Sequence, residues 1–370
     1  MTKICHLTSV HQNNDVRIFK KECVSLAKAG YEVYLVAHGE SSYTDGVHIV
    51  GVGDFTCRIK RMLVSARVIY KKALEIDADI YHIHDPELLP WALKLKGKGK
   101  KVIFDSHENY VMQIRHRAYL PKLIGAVIAK AYYFYETAVV KKLDAVIFPC
   151  TMGGKNIFQN RARRTVFISN APLLSELYDR YNSSSAKAER TIVHVGTLSY
   201  ERGITHLVKA AAKAQARLIL AGKFVSPQYY ESVTAMPEFA AVDYRGFVSR
   251  EELVDVCGQA NIGLCTLLNS GQYFGADTLA TKVYEYMSLG LPVIISDTPY
   301  AQSINKKYHF GVCVNPECVD EIAQAITYIL DNPEKAKKMG ANGRRLVFER
   351  FNWGIEEKKL LALYAQLAVG

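Results

Sequence analysis

Short runs of β-branched and apolar residues alternate with longer amphipathic stretches along the whole chain, and few architectures accept that rhythm. Ile4 to Thr8, Tyr31 to Val36, Ile80 to His84, Lys101 to Phe104, Ala145 to Phe148 and Thr165 to Ile168 read as buried parallel strands, with helical patterns such as Arg17 to Ala29 between them. This is the pattern of a doubly wound α/β domain. After a polar segment, Tyr181 to Lys187, the rhythm resumes with Thr191 to Val195, Arg217 to Leu220, Val242 to Tyr244, Ile262 to Cys265 and Pro292 to Ile295. At 370 residues the chain has room for two such domains, each with its own core. The expected organisation is a first domain over residues 1–180, a linker over 181–190 and a second domain over 191–353. Two facing Rossmann-like domains would leave a ligand cleft between them, at the carboxyl ends of their strands.

Charge narrows the partner. The chain carries +11, of which +10 falls before Ser185 and +1 after it, so an anionic partner belongs to the first half. Nucleic acid, a phosphorylated metabolite and acidic lipid all satisfy that condition. No run reaches the ~18 apolar residues that cross a bilayer. Leu123 to Ala129 is closed by Lys122 and Lys130, so no span is expected. The first residues read as a strand rather than a signal peptide, which points to the cytoplasm. Eight cysteines form no Cys-x-x-Cys pair and no metal spacing, and are read as reduced and structural.

Chemistry concentrates between Phe274 and Asp297. Gly275, Ala276, Asp277, Thr278 and Leu279 form a loop that opens a helix near Thr278; Gly290 closes it, and Pro292 begins a strand. Free amides and the helix dipole at such an opening attract a diphosphate, and Lys282 and Glu285, three apart, share a face. The plainer reading is a surface helix with a solvated ion pair.

The order acid, seven residues, Glu, then Gly-x-Pro, with Lys282-Val283-Tyr284-Glu285-Tyr286-Met287, resembles the GT-B glycosyltransferases, specifically glycosyltransferase family 4. The resemblance implies that Glu285 receives the ribose hydroxyls of a nucleotide, while Asp277 and the amides of its loop hold the donor sugar. Asp277 replaces the more usual glutamate and is shorter by one methylene. A second match is His194-Val195-Gly196-Thr197-Leu198-Ser199-Tyr200-Glu201-Arg202-Gly203, where Gly196, Thr197 and Arg202 would border the donor diphosphate. Thr197 stands where the family usually has an arginine, and Lys282 is the candidate for the missing cation. Gly246, Phe247 and Val248, within Asp243 to Ser249, resemble the strand and loop that cup the base.

In the first half, His11, Asp15 and Arg17 replace the Gly-Gly loop of many family members, with Asp15 a candidate helix cap. They resemble a subgroup in which this loop borders donor phosphate and acceptor; His11 is equally readable as a satisfied loop histidine. Two later strands end at His84-Asp85-Pro86 and Asp105-Ser106-His107-Glu108-Asn109. The resemblance makes His107 the catalytic candidate beside the reacting carbon, together with Asp277 and Arg202, and places His84 and Glu108 on the acceptor side. Asp77-Ala78-Asp79 mimics a metal-binding Asp-x-Asp but precedes its strand, away from the cleft, so no metal and no cofactor is expected.

The implied reaction is retaining, metal-independent transfer of a hexose from a nucleotide sugar, UDP preferred over GDP, to a glycan or lipid-linked saccharide in bacterial polysaccharide synthesis. A nucleotide-sugar epimerase on the same fold is the second enzymatic reading, and a basic nucleic-acid-binding protein the reading from another class; no nucleic-acid motif supports the latter. Arg58 to Lys72 and Met112 to Lys142 read either as basic amphipathic helices at an anionic inner-membrane face or as core-packed helices with a solvated basic side. Phe351-Asn352-Trp353 opens a last helix, 354–370, expected to return to the first domain.

Overall fold

The computed structural model describes residues 1–53, 64–115, 120–180, 189–268 and 275–369. The polar segment 181–188, Arg58 to Leu63, Arg117 and Phe274 lie outside the described residues. The chain forms two compact units, one of Met1–Asn170 with Gly354–Gly370 and one of Ala171–Trp353. The division falls ahead of the boundary expected at 180 because the short helix Leu174–Leu177 packs with the second unit, where Leu177 joins the core that includes Val193 and Tyr286.

The first unit is a single sheet, β1 (Lys3–Gln12), β2 (Glu32–His38), β3 (Ser42–Thr44), β4 (Val47–Gly51), β5 (Ile80–Ile83), β6 (Lys101–Asp105), β7 (Ala145–Phe148) and β8 (Thr165–Phe167), in the order β3-β4-β2-β1-β5-β6-β7-β8. All neighbours are parallel except β3 and β4. Those two strands are additions to the expected set. Strand order reverses at β1, which pairs β2 on one side and β5 on the other, so the carboxyl ends of β1 and β5 form the unit's switch point.

The segment after β1 coils as a π-helix over Val16–Cys23 before an α-helical turn, Val24–Lys28. Asp15 caps it by accepting a hydrogen bond from the Ile18 amide. The wide coil turns Arg17, Lys21 and Glu22 inward along with Ile18 and Phe19. From Gly354 on, the last helix, Trp353–Val369, belongs to this unit, as the resemblance implies, and its Tyr364 hydroxyl lies 2.8 Å from His82 Nδ1.

The helix Lys122–Val140 departs from expectation. An 18-residue stretch of it has a mean hydropathy of 1.3, so the helix is long and apolar enough to cross a membrane by length and composition, and 28% of that stretch is buried. Lys122 and Lys130 do not interrupt it, because a helix reads hydropathy over its whole length rather than as an unbroken apolar run.

The second unit is a wholly parallel six-stranded sheet, β9 (Thr191–Val195), β10 (Arg217–Ala221), β11 (Val242–Gly246), β12 (Ile262–Cys265), β13 (Val293–Ser296) and β14 (Gly311–Val314), in the order β11-β10-β9-β12-β13-β14. Order reverses at β9, between β10 and β12. The helix Thr281–Ser288 lies so close on β12 that a Cβ at Gly263 would meet the Tyr286 ring at 2.3 Å. The seven described cysteines are free, and five of them are buried.

Candidate functional site

In the second unit, a cavity of about 490 Å³ opens at the carboxyl ends of β9, β10 and β11. It gathers Gly196, Thr197, Arg202, Phe247, Val248, Lys282 and Glu285, all singled out in the sequence, and adds Lys223, Ser249 and Arg250. Its floor depends on glycine. At Gly222, whose φ is +155°, a Cβ would come within 1.8 Å of the Gly196 carbonyl oxygen, so the turns after β9 and β10 can meet only as bare backbone. The Gly222 amide donates to the carbonyl of Gly246, tying the third turn to them.

The helix Thr281–Ser288 begins later than expected, at Thr281 rather than near Thr278, and Ala280 offers no side-chain cap. The Val283 amide turns back to the Ala280 carbonyl, and with no side chain over it the positive dipole end of the helix suits an anion. It is not a surface helix, since every residue from Lys282 to Ser288 is buried. Lys282 and Glu285 both face the cavity without pairing to each other. Lys282 Nζ lies 3.0 Å from His194 Nε2 and 3.5 Å from where a Cβ on Gly196 would sit, which puts its charge beside Thr197 and the missing arginine. Burial, the largest influence, pulls the Lys282 ammonium down to about 8, and burial and the adjacent Lys282 charge hold His194 well below the usual imidazole range. Glu285 Oε1 accepts from Arg250 Nη1 at 2.5 Å, while Arg250 Nη2 donates to Glu176 at 2.7 Å. Arg250 carried no recognisable motif.

Phe247, 70% exposed, stands at the rim with the Lys223 ammonium 5.1 Å from its ring centre. Thr278 and Leu279 border a smaller hollow beside Thr298, and the Leu279 side chain is part of the core. Gly275, exposed, Ala276, buried, and Asp277, half-buried, precede them outside the residues that line the larger cavity.

In the first unit the carboxyl ends of β1, β5 and β6 converge on a polar rim. His11 Nδ1 lies 3.2 Å from Asp15 and its Nε2 3.7 Å from Asp85; the His11 and His107 rings are 5.2 Å apart. Burial would lower His11, but Asp15 and Asp85 outweigh it and raise its affinity for a proton. Asp85 itself accepts from the Thr8 hydroxyl and the Ser9 amide and so holds the loop after β1. His107 Nε2 reaches Asp105 at 3.3 Å and His84 Nδ1 at 2.9 Å. Glu108 accepts from Gln113 on the helix that follows, Tyr110–Arg115.

Arg17 is corrected from an acceptor-side cation to a buried one. Its Nε and Nη2 donate to Asp105 at 3.0 and 2.9 Å, and its Nε lies 3.2 Å from Glu22. Burial alone would raise Asp105, but Arg17 and His107 win and hold it well below the carboxylate range. The Asp-x-Asp lookalike is split: Asp77 ends a helix in a left-handed turn and pairs with Lys100, while Asp79 accepts from the Lys3 amide.

The family models that match this chain are those of glycosyltransferases. Residues 20–171 match the model for Glycosyltransferase Family 4 and residues 179–346 the model for Glycosyl transferases group 1, together most of the chain. An uncharacterized glycosyltransferase of Methanocaldococcus jannaschii is 26% identical over 48% of this chain and 45% of its own, and the alpha-D-kanosaminyltransferase of Streptomyces kanamyceticus is 24% identical over 53% and 50%. The match thus spans about half the length of these curated relatives. Among solved structures, sucrose-phosphate synthase from Thermosynechococcus elongatus superposes with a TM-score of 0.79 at 19% identity over 100% of both chains. Anabaena HepE, in complex with UDP and glucose, gives 0.74 at 13% identity over 99% of this chain and 100% of its own. The chain is a member of the GT-B glycosyltransferases and resembles family 4.

Proposed function

We propose that this chain transfers a hexose from a nucleotide sugar, with UDP as the favoured carrier, to a glycan or lipid-linked saccharide in bacterial polysaccharide synthesis. One observation carries the reading: a single cavity assembles a capless helix start, four cationic side chains and a buried glutamate around glycine turns. The helix amides, Lys282 and Arg202 suit a diphosphate, Glu285 suits ribose hydroxyls, and Phe247 and Val248 suit a base. UDP or UDP-glucose in the HepE structures is in keeping with that assignment.

In this reading the reaction proceeds with retention and without a metal at the diphosphate. The bond from the anomeric carbon to the phosphate oxygen breaks as the acceptor hydroxyl adds to the same face, and the hydroxyl proton passes to the departing phosphate oxygen. The charge left on the diphosphate is met by Arg202, Lys282 and the helix amides, which are already oriented. Asp277 holds the sugar. His107, fixed by Asp105 and His84, serves the reacting centre, and His11 with Glu108 receives the acceptor.

The helix Lys122–Val140 supports a place for this enzyme at the inner membrane face. It exposes Leu123 (83%), Val127 (69%) and Phe134 (60%) along one stripe, with Lys122 and Lys130 nearby. The opposite side is tied into the fold by buried Glu136, which accepts from Arg161 at 2.5 Å, so the helix suits lying on a bilayer better than crossing it.

The donor assignment is tested by a thermal-shift screen of UDP, GDP and their sugars on the wild type and Glu285→Ala. Stabilisation of the wild type by a nucleotide, lost in the variant, is expected. No stabilisation, or a shift untouched by the substitution, removes the assignment.

A further inference from the structure

Deeper in the first unit than the His11–His107 rim lies a polar cluster that meets the rim only where His84 touches His107. His6 on β1, His82 on β5, His84 just after it and Glu22 in the π-helix each offer one metal-ligating atom, and the four atoms lie within 4.8 Å of one another. All four residues are fully enclosed. Strand register explains the three imidazoles: His6 is the partner of His82 across β1 and β5, and His84 follows two residues on, where a strand returns to the same face.

Glu22 is the unexplained member. Both of its carboxylate oxygens are buried and make no hydrogen bond, and His82 Nε2 is buried with no partner either. Arg17 Nε lies 3.2 Å from Glu22 Oε1 but gives its hydrogen bonds to Asp105, so that pairing covers one edge of the carboxylate and leaves Oε2 toward the histidines. Enclosed carboxylates are otherwise found hydrogen-bonded, paired or coordinating a metal.

We propose that His6, Glu22, His82 and His84 bind one divalent transition-metal ion of the zinc class. Tetrahedral zinc with bonds of about 2.0–2.1 Å sets its ligand atoms roughly 3.3 Å apart. Here His6 Nδ1 and His84 Nε2 are 2.9 Å apart, and each lies 3.9 Å from Glu22 Oε2, so the separations bracket that requirement. Outer partners are in place as well. The Tyr364 hydroxyl is 3.2 Å from His6 Nε2, which leaves Nδ1 for the ion, and 2.8 Å from His82 Nδ1, itself 4.0 Å from Glu22 Oε2. His84 Nδ1 is 2.9 Å from His107 Nε2. Three imidazoles and one carboxylate favour zinc and its neighbours over magnesium or calcium. Four protein ligands leave no open position, so the ion is structural, and through His84 it fixes the ring that touches His107. The site shares no residue with the donor cavity, and its metal content is read without any assay of transfer.

The test is elemental analysis of the untagged full-length protein purified without chelator. About one equivalent of zinc-class metal per chain is expected, with a lower melting temperature after dipicolinate treatment and recovery on adding zinc. Glu22→Gln and His82→Asn should lose that metal, while His107→Ala keeps it. A wild type with less than about a tenth of an equivalent, whose melting point responds to neither chelator nor zinc, would overturn the proposal in favour of a hydrogen-bonded cluster around a protonated Glu22. Metal lost from His107→Ala but retained in Glu22→Gln would overturn it too, moving the ion to His84, Asp105 and His107. If either core variant fails to fold, the wild-type metal content and chelator response still decide.

Discussion

Arg250 Nη1 donates to Glu285 Oε1 at 2.5 Å, so the glutamate proposed to receive the ribose is oriented by an arginine 35 residues away in sequence. The same guanidinium holds Glu176, and the two carboxylates thereby sit within reach of one cation. Removing Arg250 takes a cation from a cavity meant for a diphosphate and leaves Glu285 facing it without that partner. Arg250→Ala is expected to weaken UDP binding about tenfold, roughly 1.4 kcal/mol, with Arg250→Lys recovering little because an ammonium cannot bridge two carboxylates with a planar fork. Titration calorimetry checks it. UDP affinity unchanged in Arg250→Ala would mean that Glu285 is positioned by something else.

Lys282 gives the donor site a pH dependence. Burial pulls its ammonium from 10.5 down to about 8 in the folded chain. Between those two values the unfolded chain holds the proton that the folded one has released, so this residue makes the protein more stable as pH rises through that window. Diphosphate binding runs the other way, because the anion wants the charged form. UDP affinity should be flat below about 8 and fall above it, and Lys282→Met should both weaken binding at pH 7 and flatten the profile. Calorimetry from pH 7 to 9.5 reads this directly; a profile of the same shape in the variant would assign the titration to another group.

Arg17 illustrates a different kind of cost. Its guanidinium neutralises Asp105 in a region from which water is excluded. Arg17→Met leaves Asp105 buried beside Glu22 with no cation between them, a loss of about 3–5 kcal/mol. Urea denaturation followed by a probe in the first unit should show a much lower midpoint. A loss of activity with an unshifted midpoint would instead return Arg17 to the ligand-facing role that its sequence neighbourhood suggested.

The history of Arg17 shows where sequence reading reaches and where it stops. Ala145–Phe148, Thr191–Val195 and Ile262–Cys265 have the ends expected of them, because a continuous apolar run buried on both faces declares its own limits. Ser42–Thr44 is polar and exposed, pairing only at the sheet edge, so its strand came from a neighbour rather than from its own pattern. The donor cavity was legible because its residues occupy a local motif. Arg250, Asp85, Glu22 and His6 were not, since their importance lies in contacts between elements far apart in sequence. The one available signal was position: Asp85 and Asp105 stand where strands end at their carboxyl side, the edge at which α/β sheets collect their chemistry.

The helix Lys122–Val140 separates membrane attachment from catalysis. Leu123, Val127 and Phe134 recur at helical spacing on its exposed side and stabilise little of the folded core. Inserted into a bilayer interface they would bury apolar surface at about 25 cal/mol per Å², while nearby Lys and Arg would each add about 1 kcal/mol on anionic lipid. The wild type should therefore sediment with phosphatidylglycerol-rich vesicles and less with phosphatidylcholine vesicles, and high salt should weaken but not abolish the interaction, because the apolar part is unscreened. Leu123→Ser combined with Val127→Ser and Phe134→Ser should abolish sedimentation while leaving the UDP thermal shift as it is in the wild type. Vesicle binding that survives the triple substitution would move the contact to another basic surface of the first unit, and a wild type that binds neither vesicle would end the membrane reading while leaving the donor site standing.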